Sequence, residues 1–309
     1  MKSPVLLCVY KLQDTVQRIF EVLRKVKAPQ LYISANAPNP AKNEDEKCQA
    51  VLSIFDNIDW PCEVHMNVRK EHQPLAGLSL YYGISWFFEQ EEEGIILEDD
   101  VLPNEDFFEY CDILLEKYRD NERIWSITGR NSFYNPVEYN HSYYFSRFTA
   151  IWGWASWRRT WEKYSFSVLD INEQELVEKF NEYEFSEDIQ RFYLNMLESM
   201  KRGEIDTEDF QFQLGMWLDG SYCVTPIVNM NENIGMNRDD AVHAGQNFPE
   251  HKGHHILPLI FNEEIRDNKE FDILRCDFLG CKLSKGKLRW KKFKKYCINL
   301  PLNIYHIFK

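Results

Sequence analysis

Three consecutive carboxylates, Glu98-Asp99-Asp100, close the short apolar run Ile95-Ile96-Leu97. Like charges this close raise one another's pKa and cost stability unless a cation or hydrogen bonds relieve them. A divalent ion would do so: hard oxygen ligands suit Mg²⁺ or Mn²⁺, which take one or two carboxylates and complete their shell with phosphate oxygens and water. An ion held there would offset the charge of a diphosphate leaving group as a sugar–phosphate bond breaks. The plainer reading is a solvated turn ahead of a helix that starts at Asn104, in a chain with 49 acids. The position of the triplet at the end of a buried strand favours the metal.

A second acidic site lies far along the chain, in Asp206-Thr207-Glu208-Asp209-Phe210. Asp209 is the candidate general base, able to take a proton from an attacking hydroxyl, with Glu208 in reserve. The competing role is an acid at a helix N-terminus, favoured by the macrodipole. His243, between Asp239-Asp240 and Gly245, could complete a metal shell or hydrogen-bond a phosphate, or be solvated. Trp152 and Trp154 flank Gly153 in an expected loop, where an indole can stack on a sugar, whereas Trp157 and Trp161 have the spacing of helical neighbours and core residues. Arg69 and Lys70 could steady phosphate charge, or be surface charges.

These residues need a scaffold. Val5–Tyr10 reads as a strand buried on both faces, and Asp14-Thr15 sits where a helix N-cap belongs. Strands at 31–34, 62–67 and 94–97 alternate with helices from Asp14, at 46–58, at 78–90 and at 104–118. That rhythm predicts an α/β fold with a mostly parallel central sheet and helices on both faces. In such sheets ligands sit beyond the carboxyl ends of the strands, which is where the acidic triplet falls. Further on, strands are expected at 125–129, 143–146 and 222–228, a Trp-rich helix at 153–164 and a long amphipathic helix at 173–202. One domain to about residue 250, followed by an extension over 251–309, is the simplest division.

The whole chain of 309 residues carries −13, and 44% of it is hydrophobic. That acidity argues against a general affinity for nucleic acid. The tail differs: residues 282–309 hold nine Lys or Arg and no acid. Its partner is either an anionic membrane surface, at on the order of 1 kcal/mol per cation, or the acidic body. Eight scattered cysteines with no CxxC pair read as reduced and buried. No charged leader and no apolar run of spanning length is present, so the expected compartment is the cytosol, with the tail a means of peripheral attachment to the inner membrane face.

Gly94-Ile95-Ile96-Leu97-Glu98-Asp99-Asp100-Val101-Leu102-Pro103, followed by Phe107-Phe108-Glu109-Tyr110, resembles the metal-binding segment of GT-A fold glycosyltransferases, in particular bacterial enzymes similar to N-acetylglucosaminyltransferase I. The resemblance continues through Tyr143–Ser146, Ile151–Trp161, Glu208-Asp209-Phe210, Pro226–Asn229, Asn233-Ile234-Gly235 and Ala241–Gly245, and covers roughly residues 4–247. It implies a metal-dependent glycosyltransferase that passes a sugar from a nucleotide diphosphate, with UDP the expected carrier, to a glycan or lipid-linked glycan hydroxyl. It further implies that Asp100, with His243, binds Mn²⁺ or Mg²⁺, that Asp209 is the base of an inverting displacement, and that Glu98, Asp99 and His243 lie at the donor. Tyr10, Lys11, Asn36, Lys70 and Trp154 are the remaining candidate donor contacts. Three segments depart from the family pattern: Lys11-Leu12-Gln13 replaces Asn-Arg-Pro, Asn36 stands where an acid is usual, and Gln73-Pro74-Leu75 replaces Asn-Leu-Gly. The alternatives are a sugar-nucleotide nucleotidyltransferase, against which the glycine-free Lys11-Leu12-Gln13-Asp14 counts, and a non-catalytic sugar-binding protein of the same fold.

Overall fold

The computed structural model describes residues 1–131, 139–205, 207–236, 238 and 252–279. Its strands are β1 (Val5–Val9), β2 (Gln30–Ala35), β3 (Glu63–Val68), β4 (Glu93–Glu98), β5 (Val101–Pro103), β6 (Ile124–Thr128), β7 (Tyr143–Ser146), β8 (Trp154–Trp157), β9 (Tyr222–Pro226) and β10 (Asn231–Asn233). The helices are α1 (Gln13–Val26), α2 (Asp45–Leu52), α3 (Ala76–Phe88), α4 (Glu105–Tyr118), α5 (Arg158–Trp161), α6 (Glu173–Glu182), α7 (Glu187–Lys201), α8 (Asp209–Asp219) and α9 (Lys269–Leu279).

Eight strands form one sheet in the order β3-β2-β1-β4-β8-β6-β9-β7. Strands β3, β2, β1 and β4 run parallel, as does the β6–β9 pair, whereas β8 is antiparallel to both its neighbours and β7 to β9. The α/β class and the parallel N-terminal half agree with the sequence. The sheet as a whole is mixed.

Except at the exposed edge strand β3, both faces of the sheet are covered, and the period-2 alternation of a strand sorts side chains between two cores. Val5, Leu7 and Val9 of β1 enter one core with α1 and α4, and Leu6 and Cys8 enter the other with α3, α6, α7 and α8. In β4, Ile95 and Leu97 join the first core and Ile96 the second. By the same alternation Glu98 projects to the face of Ile96, the face that α8 covers.

Several sequence expectations change here. The Trp-rich segment is not a helix from 153: Trp154–Trp157 is the inserted strand β8, and only one turn, α5, follows. The alternation sends Trp154 to the second core and Ala155 and Trp157 to the first, so Trp157 and Trp161 are not helical neighbours. The expected helix over 173–202 breaks into α6 and α7, because Glu184 turns left-handed (φ 59°) and Ser186 caps a new start through the Ile189 amide. Helix α1 begins at Gln13 without a side-chain cap, which leaves Asp14 in its first turn rather than before it. Helix α4 starts at Glu105, one residue later than expected, and Asn104 is its cap, whose side chain accepts from the Phe107 amide at 3.0 Å.

Residues 252–279 lie against the same sheet. Asp106 of α4 accepts from His255 and from the amides of Ile256 and Leu257. At α9, the buried Asp272 accepts from the Ser146 hydroxyl and, at 3.0 Å, from the Arg147 amide. Burial pushes the Asp272 carboxyl up to about 7 against those hydrogen bonds. Among the described residues no helix is long and apolar enough to cross a membrane. The basic tail lies outside the described residues.

Candidate active site

The carboxyl end of β4 delivers Glu98, and the chain then turns through Asp99 and Asp100 into the short strand β5. Strand β5 pairs antiparallel with β10 (Val101 opposite Asn233), so a segment more than a hundred residues away is brought against the turn. That segment forms a close cradle for Asp100. The Ile234 amide donates to the Asp100 carbonyl at 2.8 Å, and the Asn233 side chain donates to its carboxylate at 3.3 Å. A Cβ on Gly235 would stand 2.5 Å from Asp100 Oδ2, closer than any side chain tolerates. Only glycine fits there.

Asp99 is held from the other side. Its Oδ2 accepts from the Tyr10 amide at 2.9 Å, where the chain leaves β1. Burial and the charge of Asp100 push the Asp99 carboxyl up to about 7, against the pull of that amide and of Arg238. Arg238 itself pairs with Asp14 of α1.

Glu98 faces α8. Burial, followed by the charges of Asp100, Glu208, Asp99 and Asp209, drives its carboxyl well above the usual range. Glu208 is the residue before α8, and Asp209 its first residue, with Oδ1 accepting from the Phe210 amide at 2.9 Å and from the Thr207 hydroxyl. Asp209 is open to solvent at the surface, yet the enclosing protein desolvates its carboxyl enough to raise its pKa over the opposing hydrogen bonds. The two acidic segments noted in the sequence therefore meet across one cleft, whose apolar walls include Leu80, Ile84, Trp154 and Tyr164 and whose acids are Glu98 and Glu208.

The remaining candidates divide. Trp154 is almost wholly buried in strand β8, packed on Phe212 at 4.8 Å between ring centroids, and lines the cleft from within the core rather than from a loop. Trp152 is half-buried before β8, with the Arg130 guanidinium 3.7 Å over its ring. Tyr10 and Lys11 are both bound to Glu44: the Tyr10 hydroxyl donates to Oε2, and Lys11 Nζ reaches Oε1 at 2.5 Å. The side chain of Asn36 is fully engaged with Gln73, donating to its carbonyl at 2.8 Å and accepting from its amide at 2.9 Å. Lys70 is exposed past the end of β3. His243 lies outside the described residues.

Glu44, Thr207 and Asn233 have places in or beside this site that the sequence reading did not give them. Asn233 lies in Asn233-Ile234-Gly235, a segment of the family resemblance to which no role attaches in the sequence. Glu44 carried no signal, because Asn43-Glu44-Asp45-Glu46 reads as an ordinary polar helix start.

The donor set suits a hard divalent cation. It consists of carboxylates alone, desolvated and mutually repelling, with Asp100 held fast by its cradle, and an added positive charge would relieve the repulsion. Among the described residues no group of three or more His, Cys, Asp or Glu forms a ready-made cage. Mg²⁺ and Mn²⁺ sites that borrow phosphate oxygens and water do not need one.

No family model and no curated protein matches the sequence. Among solved structures the chain is similar to S. aureus TarS 1–349, at 9% identity and TM-score 0.39, over 73% of this chain and 58% of that one. It is similar to the UTP-bound UGPase from Acinetobacter baumannii, at 7% identity and TM-score 0.40, over 76% and 89%. A third likeness is to the glycosyltransferase GlyE of Streptococcus pneumoniae, at 12% identity and TM-score 0.36, over 73% and 45%. This chain thus spans less than two thirds of that TarS structure and of the GlyE structure, and 84% of a second TarS 1–349 structure, one in complex with UDP-GlcNAc. At these scores the likenesses carry no inference about chemistry, which rests on the site alone.

Proposed function

We propose that this chain is a metal-dependent glycosyltransferase that passes a sugar from a nucleotide diphosphate, UDP in the first instance, to an acceptor hydroxyl with inversion. One observation carries the reading: Glu98 at the end of β4 and Glu208 just before α8 line one cleft, and the charges of Asp100, Glu208, Asp99 and Asp209 join burial in raising the Glu98 carboxyl. A protein with no use for a cation would gain by dispersing them.

Asp209 takes the proton of the acceptor hydroxyl as its oxygen attacks the anomeric carbon on the face opposite the diphosphate. A carboxyl raised above its usual range is a stronger base for that task than an ordinary aspartate. Asp100 holds a divalent ion, which when bound offsets the charge growing on the departing diphosphate. Asp99, beside Asp100, can accept a hydrogen bond from the donor ribose. The apolar walls of the cleft strengthen the charge interactions of Glu98 and Glu208, which line it. The acceptor is a glycan or lipid-linked glycan, and the basic tail gives a means of meeting it at an anionic membrane.

The test is incubation of the pure protein with a panel of nucleotide sugars, with and without Mn²⁺, followed for slow release of the free nucleotide diphosphate. Metal-dependent hydrolysis of one donor supports the proposal. Release of pyrophosphate from a nucleoside triphosphate and a sugar phosphate would indicate a nucleotidyltransferase instead. Donor binding without turnover in the presence of candidate acceptors would leave a sugar-nucleotide-binding protein.

A further inference from the structure

We infer that Glu44 is a positioning residue for the acidic corner, acting through Tyr10 and Lys11 on the chain segment that leaves β1. The inference deepens the reading above and rests on it for its functional consequence.

Glu44 is only 5% exposed, a depth at which a carboxylate must be paired to be tolerated. It is paired three times. Lys11 Nζ donates to Oε1 at 2.5 Å, the Tyr10 hydroxyl donates to Oε2, and the Asn39 amide reaches Oε2 at 3.3 Å. Burial works to raise this carboxyl, but the hydrogen bonds from Lys11 and Tyr10 outweigh it and bring it down to about 2. Glu44 is therefore a permanent anion, and its charge is already spent on its partners.

The partners determine what it does. Tyr10 and Lys11 stand more than thirty residues from Glu44 in sequence, at the carboxyl edge of β1. Tyr10 is bound at both ends: its hydroxyl to Glu44 and its amide to Asp99 Oδ2. Its ring also stacks on His72, whose Nδ1 lies 2.8 Å from the Ala37 carbonyl, and Asn36 is locked to Gln73 beside it. The segments after β1, β2 and β3 thus interlock, and Glu44 is the charged anchor of the first. Without it, Tyr10 is free to swing and the amide that fixes Asp99 loses its support.

Three variants test this: Glu44→Gln, Glu44→Asp and Tyr10→Phe. The first readout needs no ligand: hydrogen exchange of the Tyr10 amide measured by NMR, with β6 amides as the global reference. Glu44→Gln is expected to lower Tyr10 protection about tenfold while β6 protection holds, a local opening rather than loss of the fold. The second is steady-state donor turnover with Mn²⁺. Glu44→Gln should raise KM for the donor roughly 10–100-fold, the range for groups that orient metal ligands, with a much smaller change in kcat. Glu44→Asp should restore part of both effects. If Glu44→Gln lowers β6 protection as well, Tyr10→Phe, which removes only the hydroxyl, decides in its place. Unchanged Tyr10 protection overturns the inference whatever the kinetics, and so does lost protection with an unchanged KM. If the wild-type protein turns over no donor, the proposed function fails instead, and local loss of Tyr10 protection still supports Glu44 as the anchor of the corner.

Discussion

Tyr10 touches two acidic centres of opposite character. On its hydroxyl side Glu44 is buried, paired with a lysine and held well below the usual glutamate range. On its amide side Glu98 and Asp99 are half-buried among like charges and raised above the usual range. Burial raises the pKa at both, so the difference lies in whether a partner is built in. A compensated acid serves the fold, and an uncompensated cluster stores repulsion that a cation can discharge. The chain keeps the two side by side, one bracing the other.

The sharpest way to break that contrast is at the base. Asp209→Asn should lower kcat by roughly 10²–10⁴-fold, the usual worth of a positioned general base, with donor affinity by calorimetry nearly unchanged. Intact turnover would remove Asp209 from the mechanism and move Glu208 into its place. Asp100→Asn comes next: Mn²⁺-supported UDP binding should weaken roughly 100-fold, at least the loss seen when a mere supporting partner of a metal ligand is removed. Wild-type affinity in that variant would mean the ion is held elsewhere.

Stability should then move in opposite directions at the two centres. Glu98→Gln removes one repelling charge and should stabilise the metal-free protein by about 1 kcal/mol. Glu44→Gln strands Lys11 and should cost about 1–2 kcal/mol, less than for a fully buried pair because Lys11 is partly solvated. Urea denaturation of the two variants checks both, and a shared sign would refute the distinction drawn here.

The last effect is a slope with pH rather than a fixed shift, and is expected at Asp272, a further buried acid, whose carboxyl sits near 7. The folded chain keeps a proton there that the unfolded chain releases. That contribution is complete below the ordinary aspartate range and is lost as pH rises through about 7, by at most about 1.4 kcal/mol per pH unit. Asp272→Asn should flatten this part of the stability profile between about pH 4 and pH 7, as followed by denaturation midpoints.

By itself the sequence determined the alternation of strands and helices in the first 118 residues and the position of Glu98-Asp99-Asp100 at a strand's end. Both follow from local periodicity, and a buried parallel strand such as Val5–Val9 is recognisable from its own residues. The strand β8 was not, since Trp154–Trp157 earns its strand conformation from pairing with β4 and β6 and from placing alternate indoles in separate cores. Nor could the sequence place Glu44, which reads as a helix-start acid until Tyr10 and Lys11 arrive from more than thirty residues away. Only tertiary structure decided that Asn233 and Gly235 would cradle Asp100, and that Glu208 would face Glu98. The physical reason is common to these cases: a residue's pKa and role depend on the charges, donors and dielectric around it, and those are assembled by segments that chain order keeps far apart.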